Sequence, residues 1–129
     1  MFADLPPQII ECVAHTEYAQ PSDVILEEAN AARLAGDLAG ARCAIEGVLV
    51  SEPLNADAWV QLGFLRSATG EAKEAGAAFQ RALGIAPDYD DAKIGLAQLA
   101  YRSGDVDGAR EWLRRVSQAR LQDPEVGSF

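Results

Sequence analysis

Apolar and polar positions along this chain repeat with a helical period, and the helical stretches themselves recur. In residues 56–89, Trp59, Leu62 and Leu65 mark one face of a first segment, and Phe79, Ala82 and Leu83 mark one face of a second. That spacing predicts two amphipathic helices, over about 57–69 and 72–86. Gly70 between them suits the left-handed residue that ends a helix. Pro87 stops the second helix, because proline lacks the N–H that helix continuation needs. The chain on either side carries the same pattern. Gly36–Asp37 and Gly104–Asp105 place a helix-ending glycine directly before an aspartate able to cap the next helix.

The recurrence has a fixed length. Residues 22–55, 56–89 and 90–123 form three blocks of 34 residues that align without gaps. Gly36, Gly70 and Gly104 occupy one register position, and Ala41, Ala75 and Ala109 another. Ala29, Gly63 and Ala97 hold a third, and the bulky Ile45, Phe79 and Leu113 a fourth. Small residues at matched places let two antiparallel helices approach, so Ala29 is expected to face Ala41, Gly63 to face Ala75, and Ala97 to face Ala109. Pro53 and Pro87 close the first two blocks, with Leu121 at the equivalent place in the third.

These residues carry a resemblance. Trp59, Leu62, Gly63, Gly70, Ala75, Phe79, Ala82 and Pro87 resemble the tetratricopeptide pattern W-x2-L-G-x2-Y followed by A, F, A and P. The resemblance covers residues 22–123, about four-fifths of the chain. It implies an all-α fold: a right-handed α-solenoid of three helix-turn-helix repeats with an N-terminal capping helix. The sequence departs from the pattern at Arg66, where the family usually has Tyr, with Ala32 and Ala100 in the outer blocks. Ile25 and Lys93 replace the early Trp in those blocks. Local loosening is expected there, not another fold.

The ends differ from the repeats. Residues 1–21 hold Pro6 and Pro7 ahead of an apolar stripe of Ile9, Ile10 and Val13, which predicts a helix over 6–18. Such a helix covers the open face of a first repeat. After the last repeat only a short tail remains, 124–129, so apolar surface on that repeat is expected to stay open. Self-association through this C-terminal edge, or a longer native chain, follows from that expectation.

Charge narrows the partners. The net charge is −9, and residues 1–57 hold ten acids against Arg33 and Arg42 alone. An acidic surface repels phosphate backbones, so nucleic acid is not expected as a partner. No apolar run approaches the ~18 residues that cross a bilayer, so no direct membrane insertion is expected. Met1–Leu5 has neither a basic nor an apolar leader region, which makes the cytoplasm the default location, or the periplasm if a signal peptide has been removed. Cys12 and Cys43 form no C-x-x-C pair, so no metal site is expected; whether they are bridged is left open.

The resemblance places the partner site. In such stacks the first helix of each repeat lines a concave groove. The corresponding positions are Leu26, Asn30, Arg33 and Leu34, then Val60, Gln61, Phe64 and Ala68, then Ile94, Gln98, Tyr101 and Arg102. Phe64 is central and is the expected anchor, since aromatic residues often dominate binding energy. Asn30 and Gln98 suit a peptide backbone, and Arg33 and Arg102 suit a carboxylate. Leu26, Val60, Phe64 and Ile94 equally suit packing between repeats, so both readings stand. The family's subtype that clamps the carboxylate tail of heat-shock chaperones needs Lys, Asn and Arg at several of these places. Leu26, Phe64 and Ile94 do not meet that need, and only Asn30 does. The arginines at 110, 114, 115 and 120 lie toward a helix C-terminus, where cations offset the dipole.

No catalytic constellation is present. His15 is the one histidine and has no partner at a diagnostic spacing. There is no phosphate-binding glycine loop and no H-E-x-x-H. Glu17 faintly resembles the acid of lytic transglycosylases, but Tyr18 follows it where that motif has Ser, and the repeats begin at once. No cofactor is expected. The expected function is an adaptor or scaffold that takes a peptide or helix of a partner protein in its groove. The alternatives are a small secretion-type chaperone shielding an apolar client segment, which resembles the helical-repeat chaperones of type III secretion, and a module of an envelope or polysaccharide-export assembly.

Overall fold

The computed structural model describes residues 20–121, with side chains described to Val116. The expected capping helix over 6–18, Cys12, His15, Glu17 and the 124–129 tail lie outside the described residues. Six helices follow in order: α1 Ser22–Leu34, α2 Leu38–Ser51, α3 Ala56–Ala68, α4 Ala72–Ile85, α5 Asp90–Arg102 and α6 Val106–Leu121. They pair as α1·α2, α3·α4 and α5·α6, and each pair packs on the next. The described fold is all-α, three helix-turn-helix units stacked side by side.

Each turn inside a pair is built the same way. Gly36, Gly70 and Gly104 have φ of +91°, +80° and +89°. In each turn the glycine N–H donates to a carbonyl three residues back. The next N–H donates to one five back, as in Asp37 N to Ala32 O at 2.8 Å. This pair of bonds satisfies helix-end carbonyls that would otherwise have no partner. Asp37 and Asp105 then cap the following helix, accepting from Gly40 N at 3.0 Å and Gly108 N at 2.9 Å. Glu71, at the same register, makes no such cap. Its carboxylate accepts instead from Arg42 of the preceding pair at 3.1 Å, with Arg66 at 3.7 Å. Arg66, the departure from the family's Tyr, thus joins an ion network between repeats. Gly70→Ala forces a side chain into the left-handed region and is expected to cost about 1 kcal/mol, read as a lower midpoint in urea.

Two apolar clusters run through the stack. Leu26, Ala29, Ala41, Ile45, Val48, Ala58, Leu62 and Leu65 join the first pair to the second. Val60, Ala75, Phe79, Ala82, Ala92 and Leu96 join the second to the third. The expected small-residue positions are all buried. Gly63, however, makes room chiefly for the Phe79 ring, which a Cβ there would strike. Gly95 serves the same ring from the third pair. Lys93 is buried where the family has Trp, with its Nζ 3.7 Å from Asp90.

Candidate functional site

The first helices are neighbours along the stack: α1 packs on α3, and α3 on α5. Side chains at equal register on these three helices therefore share one surface. The twelve expected groove residues divide by burial. Leu26 and Val60 are buried in the two core clusters, so packing accounts for both. Gln61 is half-buried, and its Oε1 is enclosed without a hydrogen-bond partner among the described residues. Leu34, Ala68, Gln98, Tyr101 and Arg102 are exposed, and Asn30, Arg33, Phe64 and Ile94 lie between.

Three of these meet at the junction of the first and second pairs. Arg33 donates from Nη2 to Asn30 Oδ1 at 2.8 Å, and its guanidinium lies 5.5 Å from the Phe64 ring centre. Phe64 meets Phe79 edge-on, with ring centres 5.0 Å apart and planes at 74°. The anchor ring is thus held from below by an aromatic contact and from one side by a cation. Asn30 uses its amide oxygen in this contact. At the next junction, Arg102 Nη1 donates to Ser67 Oγ at 2.7 Å. Both arginines expected to hold a carboxylate already have a partner in this surface.

Ser67 was not among the expected residues. Its signal is the period itself, since Arg33, Ser67 and Tyr101 share one register position. A second missed feature lies where the first helices begin. Asp23, Asp57 and Asp91 share a register position in the first turns of α1, α3 and α5, and all are exposed. Tyr89 donates its hydroxyl to Asp57 at 2.7 Å, tying the approach to α5 onto the start of α3. The arrangement therefore offers an apolar and aromatic floor, amides, and opposite charges toward the two helix ends.

Burial raises the Tyr89 pKa above the usual tyrosine range, as do the hydrogen bond to Asp57 and the charges of Asp57 and Asp91. The unfolded phenol ionises near about 10. The folded state therefore holds this proton more tightly than the unfolded one. The resulting stability is intact below that pH and is lost as pH rises above it. Tyr89→Phe is expected to flatten the alkaline fall of Tm above about pH 10; an unchanged slope would show that Tyr89 does not cause it.

Among the described residues, no group of three or more His, Cys, Asp or Glu is placed to hold a metal ion. No described helix is long and apolar enough to cross a membrane.

Comparison with known proteins agrees with this geometry. Two tetratricopeptide repeat profiles match, over residues 26–90 and 66–129. A probable biofilm formation methyltransferase of Pseudomonas putida, WspC, is 33% identical over 93 residues. Those residues are 70% of this chain but only 22% of WspC, so the chain spans about a fifth of that relative. Among solved structures, the type III secretion translocator chaperone SycD of Yersinia enterocolitica superposes with a TM-score of 0.72 at 15% identity, covering 83% of this chain and 81% of SycD. MamA superposes with a TM-score of 0.70 at 17% identity, covering 81% of this chain and 61% of MamA. At these identities the two structures share the fold with this chain.

Proposed function

The chain belongs to the tetratricopeptide repeat family and is a protein-interaction module of that type, and on that footing we propose that its groove shields an apolar segment of one client protein, as a small secretion-type chaperone does. The observation that carries this reading is the half-buried Phe64 at the middle of the three first helices. Its ring is fixed by Phe79 and Arg33, so a guest side chain meets a floor already in place. Ordering that floor before binding lowers the cost of association. Exposed Gln98 and Tyr101 supply hydrogen-bond groups beside it. The likeness to SycD over four-fifths of both chains supports the size and architecture such a role needs. In a deletion strain one client is expected to become insoluble or to disappear. Wild-type protein should restore it, and the Phe64→Glu variant should not. A client pool that is unchanged by deletion would sink the reading.

One observation favours a second reading, a recognition module within a longer protein such as an envelope or export component. The aligned segment is a small part of WspC. An antibody to this chain that detects a native product much larger than 129 residues would support that reading; a product of this length would remove it.

A further inference from the structure

The 34-residue register lets the second pair be compared with the third, residue for residue. On α6 an acid and an aromatic ring stand side by side. Trp112 packs half-buried against the second apolar cluster. The Arg115 guanidinium lies 4.6 Å from its ring centre and 3.7 Å from the Glu111 carboxylate. One period earlier, on α4, Arg81 matches Arg115, but Ala77 and Ala78 stand in place of Glu111 and Trp112. There a cavity of about 480 Å³ opens between α3 and α4. That is within the range of sites that take small guests, roughly 300–1,000 Å³. Trp59, Leu62 and Arg66 line it from α3, and Ala77, Ala78 and Arg81 from α4. None of them is among the residues expected in the groove. The Trp59 ring is fixed, because its Nε1 donates to Pro53 O at 2.8 Å. Arg66 brings no ring where the family has Tyr, and its guanidinium is 3.7 Å from Glu71. Arg81 is exposed, 5.5 Å from the Trp59 ring centre, and has no carboxylate partner among the described residues.

We propose that this cavity takes an aromatic side chain of a partner protein with a carboxylate next to it, the Glu-Trp unit that α6 carries and α4 lacks. The guest ring lies against Trp59, Leu62 and Ala78, and Arg81 covers it as Arg115 covers Trp112. The guest acid meets Arg81 as Glu111 meets Arg115. Charge favours this occupant. Arg81 is a cation without a carboxylate beside a mostly apolar lining, on a chain whose net charge is −9. Glu74 lines the same cavity about two turns before Arg81, so it directs the guest acid to the Arg81 end and disfavours a uniformly acidic segment. The site is separate from the groove around Phe64, and its guest does not depend on that groove.

Titrating the ¹⁵N-labelled full chain with a blocked peptide that has Glu-Trp at its centre tests this. The indole N–H signals of Trp59 and Trp112 are told apart by Trp112→Phe. The Trp59 signal is expected to shift and saturate with millimolar peptide while the Trp112 signal stays in place. Changing the peptide's Glu to Gln should weaken binding about threefold, and changing its Trp to Ala at least about tenfold. Tyr101→Ala, in the groove, should leave this binding unchanged. Ala77→Glu combined with Ala78→Trp supplies the missing unit from within and should abolish binding without lowering Tm. Arg81→Glu should lose the Glu-Trp peptide and bind a Lys-Trp peptide more tightly than the parent does, which a merely damaged fold cannot do. A Trp59 signal that no peptide moves overturns the proposal. So does an equal shift of both indoles, or a Lys-Trp peptide that binds Arg81→Glu no better than the parent.

Discussion

Phe79→Ala is expected to lower the stability of the stack by about 3–5 kcal/mol, the largest loss of any single substitution in the described residues. The ring is fully buried and sits in slots left by Gly63 of its own pair and Gly95 of the next. Removing it loses the transfer energy of the ring and leaves a cavity that helix backbones on two sides cannot collapse to fill. It also removes the edge-on partner of Phe64. The expected change in Tm is a fall of roughly 10–20 °C. Repeat stacks hold together through nearest-neighbour interfaces, so losing this one should also uncouple the third pair from the first two. Chemical unfolding followed by tryptophan fluorescence and by circular dichroism should then give two midpoints where the parent gives one. Phe79→Leu, which keeps much of the volume, should cost less than half as much. A loss below about 1 kcal/mol for the alanine variant would mean that the ring is not the wedge between these pairs.

Phe64→Glu is expected to weaken partner binding by at least about 2 kcal/mol, roughly 30-fold. The substitution removes the apolar floor and puts a carboxylate where the guest segment would lie. It also loses the contact with Phe79, so stability must be read beside affinity. Tyr101→Ala separates the two effects, because Tyr101 is 69% exposed and supports nothing in the core. That variant should melt with the parent and still bind several-fold more weakly. Weak binding by Phe64→Glu with full binding by Tyr101→Ala would confine the guest to the first two pairs.

The period was legible because it demands many residue types at fixed offsets. The helix pairs, their turn glycines and their capping aspartates follow from it, and the helix bounds fall within about a residue of those expected. The lining of the groove was less legible. Leu26 and Val60 share with Ile94 the apolar character and the register of a first helix. Whether such a residue faces a neighbour or the open side depends on how closely adjacent pairs approach. That approach is set by Gly63 and Gly95 against one ring, and no local pattern in the sequence announces such a match. The bond from Arg102 to Ser67 and that from Tyr89 to Asp57 span 35 and 32 residues, close to one period. They are visible as register neighbours only once the pairs are stacked. Glu71 marks a further limit. At the register of two capping aspartates it turns instead to Arg42, because its longer side chain reaches the preceding pair.

The central claim is that a partner segment lies along α1, α3 and α5. A photo-crosslinking amino acid placed in turn at Gln98 and at Lys73 tests it most directly, since both sites are exposed and only the first belongs to the groove. Irradiation in the source cells should yield one partner adduct from position 98 and none from position 73. Adducts from position 73 alone would contradict the account.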